Sequence, residues 1–363
     1  MTTVTIDAVW KLYGDTPAVK DLNLDCRDGE FLAILGPSGC GKSSTLRMLA
    51  GLEHISAGDI RFGAQRINDL PPKDRDIAMV FENYALYPHK TVFENIANPL
   101  RLRGMDAETI RRKVGKAAAL LEIGHLLDRK PVELSGGQKQ RTAIGRAIVR
   151  EPKLFLFDEP IAHLDAKLRA HMRGELKIMQ RELGTTMIYV THDQLEALSM
   201  ADRIAVMHDG VLQQFGTPRE IYDHPVNEWV AGFVGEPPMN FLDCTLEERD
   251  GAVHVIHPAF ALPLTPEQRA RLDGGATARA VRLAMRPAEI GIAAAGVDGA
   301  IKANILVTEP LGGDMLVDCD LADTKILVKT KPDFAGVRGE ECWLTFDRAR
   351  WHLFAVDTGL AYF

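Results

Sequence analysis

At 363 residues, with 46% hydrophobic and 26% charged side chains, the chain is long enough for two domains. Its composition excludes whole-chain disorder, collagen and a coiled-coil rod. A formal net charge of -7 argues against broad nucleic-acid binding, which needs a basic face. No apolar run approaches the ~18 residues of a membrane-spanning helix, and the start, MTTVTIDAVW, lacks the basic and apolar regions of a signal peptide. The chain is therefore expected in the cytoplasm, with any membrane link made through a partner. Cys26, Cys40, Cys244, Cys319 and Cys342 are odd in number and form no Cys-x-x-Cys pair, so free thiols are expected, not a disulfide framework or a zinc site.

In chain order, Glu30 to Leu35 (EFLAIL) reads as a buried strand, followed by a Gly-rich turn and a helix from about Gly41 to Ala50. Asp106 to Glu122 predicts a helix, because Ile110, Val114, Ala117 and Leu121 recur at helical spacing. With Leu134 to Arg150 it suggests a helical lobe, about residues 84–150, inserted between strands. Lys153 to Pro160 (KLFLFDEP) and Thr185 to Asp193 (TTMIYVTHD) read as further buried strands. Short apolar runs separated by helices are the pattern of a mainly parallel sheet. Gly235 to Asn240 (GEPPMN) marks a boundary, since its paired prolines can neither continue a helix nor donate to a sheet. Beyond it, Ile305 to Thr330 reads as short strands with turns at Gly312-Gly313 and Ala322-Asp323, which suggests a small barrel. From Glu236 onward the chain has 13 Lys+Arg against 19 Asp+Glu, so this part holds -6 of the total charge and gives a barrel there little to offer a nucleic acid. The domains expected are 1–235 and 236–363.

Three motifs bear on chemistry. Gly36-Pro37-Ser38-Gly39-Cys40-Gly41-Lys42-Ser43 fits G-x-x-x-x-G-K-[ST] and lies between an apolar strand and a helix. Its glycines let successive N–H groups curl toward phosphate oxygens, and the following helix adds its positive end. Lys42 would reach the β/γ-phosphates and the Ser43 hydroxyl would meet Mg²⁺. Leu154 to Glu159 (LFLFDE) ends a strand in two carboxylates. Asp158 would help hold the hydrated Mg²⁺, and Glu159 could polarise an attacking water as general base. Leu134-Ser135-Gly136-Gly137-Gln138 opens a helix with two glycines, a second anion site in form, although most isolated Ser-Gly-Gly segments are simple caps. Cys40, at a helix N-terminus beside Lys42, is expected to be a reactive, low-pKa thiol whose alkylation blocks ATP binding.

These motifs, with LSGGQKQR and Thr191-His192-Asp193 in order, resemble the ATP-binding subunits of ABC transporters. The resemblance implies an α/β P-loop NTPase domain of the ABC type with an inserted helical subdomain, followed by a small all-β OB-like domain of the TOBE/MOP regulatory type. It implies ATP, with Ser44 completing the phosphate-loop contacts, and Mg²⁺ held by Ser43, Glu82 and Asp158. Two subunits would meet head to tail, so that Ser135, Gly136, Gly137 and Gln138 meet the ATP of the other chain. His192 would contact the γ-phosphate, and Tyr13 matches the aromatic that stacks on adenine. From the residues alone, Tyr13 and nearby Trp10 are equal candidates. Asn83 to Ala97 (NYALYPHKTVFENIA) looks like the segment that meets a permease. The tail segments LAMRPAEIGIA, LGGDM and GEECWLTFDRARWHLF resemble the maltose and glycerol-3-phosphate importer group.

The function so implied is ATP hydrolysis that drives import of a sugar or sugar derivative. The expected partners are a second copy or a non-identical ATPase, two transmembrane permease subunits and, through them, a periplasmic or extracellular solute-binding protein. The chain would sit peripherally on the cytoplasmic face of the inner membrane. Alternatives are an importer of polyamines or other small solutes, a soluble ABC ATPase, or a poorly active regulatory subunit. Two positions depart from the family. Glu82 stands where a glutamine is usual, keeping an oxygen ligand while losing a donor. In Ala162-His163-Leu164-Asp165 the usual serine is lost while Asp165 is kept. Such departures allow for a hetero-pair in which this chain supplies an imperfect half-site.

Overall fold

The computed structural model describes residues 2–272, 279–293, 295, 297 and 299–363. They divide into two compact units, Met1–Arg219 and Glu220–Phe363. The composition change near residue 236 thus falls inside the second unit.

The first unit begins with strands β1 (Val4–Tyr13) and β2 (Thr16–Cys26), paired antiparallel. Then come β3 (Phe31–Leu35), helix α1 (Lys42–Ala50), β4 (Ala57–Phe62), β5 (Gln65–Arg66) and β6 (Ile77–Val80). Three helices follow: α2 (Val92–Leu102), α3 (Ala107–Leu120) and α4 (Gly136–Ile148). The chain returns through β7 (Leu154–Asp158), α5 (Ala166–Leu183), β8 (Thr186–Thr191), α6 (Gln194–Met200), β9 (Arg203–His208) and β10 (Val211–Gly216). A small antiparallel sheet has the order β2-β1-β4-β5, and the central sheet has the order β10-β9-β3-β8-β7-β6. In the central sheet β9, β3, β8, β7 and β6 run parallel, and β10 is an antiparallel edge. β3, β7 and β8 are buried at every residue, as strands covered on both faces must be. Leu32, Ile34, Leu154, Leu156, Ile188 and Val190 join one apolar core with Leu46 and Leu49 of α1. The parallel arrangement brings the carboxyl ends of β3, β8, β7 and β6 to one edge, where ligands of open α/β sheets bind.

The helical insertion is held by a buried amide. Asn95, fully buried on α2, donates from Nδ2 to the carbonyls of Tyr87, Lys90 and Thr91, and its Oδ1 accepts from the Tyr87 N–H. It closes the loop before α2 onto that helix. Arg146 of α4 reaches the same loop, donating to the carbonyls of Tyr84 and Ala85. Both of these residues have positive φ, a costly conformation for residues with a Cβ, which the clamp maintains.

α7 (Pro218–Asp223) straddles the division between the units. The second unit continues with α8 (Glu228–Phe233), β11 (Asn240–Arg249), β12 (Ala252–His257), β13 (Phe260–Pro263), α9 (Pro266–Arg271), β14 (Arg279–Met285) and β15 (Ile290–Ala293). It ends with β16 (Ile301–Pro310), β17 (Met315–Leu321), β18 (Thr324–Thr330), β19 (Glu341–Phe346) and β20 (His352–Ala355). These strands make two five-stranded antiparallel sheets, β13-β12-β11-β14-β20 and β15-β19-β16-β17-β18. Side chains of both sheets, among them Leu242, Leu246, Val255, Leu283, Val317, Val328 and Leu344, share one core. Ala322 and Asp323, both at positive φ, make the two-residue hairpin turn between β17 and β18. Arg286, only 2% exposed, donates to the carbonyls of Val234 and Tyr222 and lies 3.6 Å from the Tyr222 ring centroid.

Candidate functional site

The loop from Gly36 to Gly41 leaves the end of β3 and turns into α1. Two of its glycines are required by close approach. A Cβ on Gly36 would lie 2.3 Å from the Met207 carbonyl oxygen, and one on Gly41, at φ 101°, would lie 2.5 Å from that of Ala18. α1 starts without a capping side chain, whereas α2 to α6 are capped by Thr91, Asp106, Ser135, Asp165 and Asp193. A helix start with unpaired N–H groups next to a tightly curled loop is suited to an anion. Lys42 is 4% exposed, and its Nζ donates to the carbonyls of Gly36 (2.9 Å) and Pro37 (3.0 Å). The ammonium is thus fixed over the loop.

Strand β7 delivers the acids. Ser43 Oγ donates to Asp158 Oδ1 at 3.0 Å. Burial raises the Asp158 carboxyl above its usual range, and the charges of Glu159 and Glu82 add to the rise. A hydroxyl and a buried carboxylate in contact, in a field of further carboxylates, form a donor set that fits a hard divalent cation. Glu159 takes a positive φ of 45° just past the strand, and its N–H bonds to the Val190 carbonyl. Its carboxylate meets two partners: Lys42 Nζ lies 3.8 Å from Oε1, and His192 Nδ1 lies 2.7 Å from Oε2. Because an ionised carboxylate only accepts, Nδ1 is the donor, and Nε2 is the ring nitrogen left for another group.

Sequence reasoning missed the groups that fix His192. The Thr191 hydroxyl donates to Glu196, as does the Tyr189 hydroxyl, and the Asp193 N–H donates to Thr191 Oγ1. Burial raises the Glu196 carboxyl above its usual range. Asp193 caps α6 and pairs with Arg169 of α5 at 3.1 Å. The acid three residues beyond Thr191-His192-Asp193 was the available signal, since that spacing places it in the first turn of α6.

Tyr13 ends β1, 47% exposed, with its hydroxyl bonded to Ser44 and Glu53 and Lys11 Nζ 4.7 Å from its ring centroid. Trp10, on the same strand, is also partly exposed. Cys40 departs from expectation. It is 2% exposed and its thiol is raised, because burial outweighs the nearby Lys42 charge. It fills the space against Gly36, where a Cβ would stand 2.6 Å from its sulfur. The helix end and the Lys42 charge, weighed without burial, therefore gave the opposite direction.

Ser135, Gly136, Gly137 and Gln138 lie apart from this cluster, at the start of α4. The Ser135 hydroxyl accepts from the Gln138 N–H, and the Gln138 side chain accepts from the Ser135 N–H. Among the described residues, none of these hydrogen bonds reaches the phosphate loop. A Cβ on Gly137 would lie 2.8 Å from Leu168, and one on Gly136 3.2 Å from Leu164, so the glycines let α4 approach the start of α5. Asp165 caps α5 through the Leu168 N–H at 2.9 Å. Glu82, beyond β6, stands 3.2 Å from His163.

A Gly-rich loop over a buried lysine, facing a Ser–Asp pair and a Glu–His pair at the ends of parallel strands, defines a P-loop nucleotide-binding ATPase. The ABC transporter family model matches residues 19–162, and the TOBE domain model matches residues 283–354. The chain is 48% identical over 375 residues to the trehalose/maltose import ATP-binding protein MalK of Thermococcus litoralis, spanning 100% of both chains. It is 45% identical to the sulfoquinovosyl glycerol transport ATP-binding protein SmoE of Agrobacterium fabrum, across 99% of each. Among solved structures, the dimeric post-hydrolysis state of the ATP-binding cassette MJ0796 bound to ADP and Pi matches with a TM-score of 0.54 and 33% identity, covering 60% of this chain and 99% of that one. The chain belongs to the ABC transporter ATP-binding family and is an ABC-type ATPase. No helix among the described residues is long and apolar enough to cross a membrane.

Proposed function

We propose that this chain is the energy-coupling ATPase of an importer for a sugar or sugar derivative. The observation that supports it most is the meeting of Lys42, Glu159 and His192 beside Ser43–Asp158. The solute class follows from relatives named for trehalose/maltose and sulfoquinovosyl glycerol, all polyhydroxylated.

In this reading the loop N–H groups from Gly36 to Ser44 and the open end of α1 bind the phosphates of ATP, and Tyr13 stacks on adenine. Lys42 leaves its carbonyl partners to stabilise charge that develops on the β/γ-phosphates. Ser43 and Asp158 would hold Mg²⁺, which when bound would neutralise phosphate charge and favour the leaving group, with the charge of Glu82 felt from nearby. Glu159 accepts the proton of the attacking water, and the Nδ1–H bond from His192 fixes the orientation of its carboxylate. Ser135, Gly136, Gly137 and Gln138 meet the nucleotide of a second ATPase subunit, and Asp165 lies at that junction. ATP-driven closure of the pair would drive two permease subunits to accept solute from a binding protein, with this chain peripheral on the cytoplasmic face of the membrane.

The test is a mild-detergent purification of the chain from its native membranes. Two co-purifying permease chains are the expected result, and a second ATPase in the complex would decide for a hetero-pair. Recovery with soluble nucleic-acid proteins and no membrane protein would overturn the importer reading.

A further inference from the structure

The acid at position 82 and the segment that lacks the family's serine lie against one another. Glu82 Oε1 stands 3.2 Å from His163 Nε2. Glu82 belongs to the loop after β6, and His163 to the turn between β7 and α5. Both side chains are about half exposed. A glutamine at this position has its own donor, whereas a carboxylate only accepts and adds a charge. That charge is felt at Asp158, together with the charge of Glu159. Lys42 pairs with Glu159, and the charge of Arg47 reaches Asp158 from the other side of the balance. Besides water, the acid at 82 has two groups within its reach: the Ser43–Asp158 pair, where it would add to the charge of Glu159, and the imidazole of His163.

We propose that His163 is a positioning residue for Glu82, holding the carboxylate in the turn between β7 and α5 and keeping the extra acid from crowding the cation site of Ser43 and Asp158. The contact also ties the loop after β6 to the turn that leads into Asp165 and α5. The proposal rests on the Mg²⁺–ATP reading of the site.

The experiment uses the full chain, with His163→Ala, His163→Gln, Glu82→Gln and the double variant Glu82→Gln/His163→Ala, all at one pH. Mg²⁺ is titrated while equilibrium binding of a fluorescent trinitrophenyl-ATP is followed. Loss of His163 is expected to lower the half-saturating Mg²⁺ about two- to fivefold, the scale of a partly exposed charge contact. His163→Gln, which retains a polar group, should shift it less. In the Glu82→Gln background, removal of His163 should leave it unmoved, and this double variant also shows that the chain still folds. A rise, no change, or a shift that persists undiminished in the Glu82→Gln background would overturn the proposal. Failure of the wild-type chain to bind the nucleotide any better than Lys42→Ala would overturn the nucleotide reading itself, and the two failures are thereby told apart.

Discussion

Lys42, Glu159 and His192 form a chain of contacts in which each member fixes the next. Removing Lys42 takes away the ammonium held over the loop and frees one oxygen of Glu159. Lys42→Ala is expected to lose both nucleotide binding and hydrolysis. Glu159→Gln keeps the volume and the oxygen but cannot accept a proton. It should therefore retain Mg-ATP binding while single-turnover hydrolysis falls about 10²- to 10⁴-fold, the usual weight of a general base. Hydrolysis by Glu159→Gln at the wild-type rate would remove the residue from the mechanism. Cys40 gives the opposite kind of expectation. All five cysteines are buried, and burial pushes the Cys40 thiol up despite Lys42. Iodoacetamide should label the native chain far more slowly than the denatured chain, as mass spectrometry can follow, and Cys40→Ser should change ATP affinity little.

At the scale of elements, β3, β7 and β8 were legible because they are short, mostly apolar runs, whereas β6 and β9 of the same sheet were not read, and α3 was legible because its apolar residues keep helical spacing. The sheet built on β1, β2 and β4 was not. Its β1–β2 register shifts three times between Ile6 and Leu12 and Ala8 takes a positive φ, so the period-2 pattern is broken where it would be read. α5 escaped for another reason: its eighteen residues bury only Met172, Leu176, Met179 and Gln180, too thin a stripe to stand out. Within the site, the phosphate loop and the two acids were legible as contiguous motifs. The Glu82–His163 and Thr191–Glu196 contacts were not, since side-chain orientation after a turn is a tertiary fact. The loop before α2 depends on one amide. Asn95→Ala would take away the partner of the Tyr87 N–H and of the Lys90 carbonyl, while the Tyr87 and Thr91 carbonyls keep the N–H groups of Lys90 and Asn95, and it should lower the stability of the first unit by about 1–3 kcal/mol in urea unfolding. A change below about 0.5 kcal/mol would show that water replaces the amide.

For the molecule as a whole, acid should act on the second unit through His352. This residue is buried on β20, and burial, with the charges of Arg286 and His224, lowers its pKa to about 4. The unfolded chain takes up the proton near pH 6.5, so between about pH 6.5 and 4 the unfolded state binds more protons than the folded one. Stability contributed by neutral His352 is then complete above pH 6.5 and is lost as pH falls toward 4, by up to about 3 kcal/mol. Thermal unfolding across that range should show the loss, and His352→Gln should flatten it. An equal slope in both proteins would assign the acid sensitivity to other groups.

The hydroxyl at the start of α4 has a polarity. Its oxygen receives the Gln138 N–H, which occupies one of its two lone pairs and leaves its rotatable proton for another group. A phosphate oxygen, which only accepts, can take that proton. Under the head-to-tail pairing proposed above, the terminal phosphate of the opposite nucleotide is such a group, and ADP has none to offer at that position. A closed pair holding ADP would bury a donor without an acceptor, a penalty of about 1–3 kcal/mol at each of the two junctions. Under that pairing the cap would read the nucleotide state: it would tolerate closure while the last phosphate is present and favour separation once it has gone.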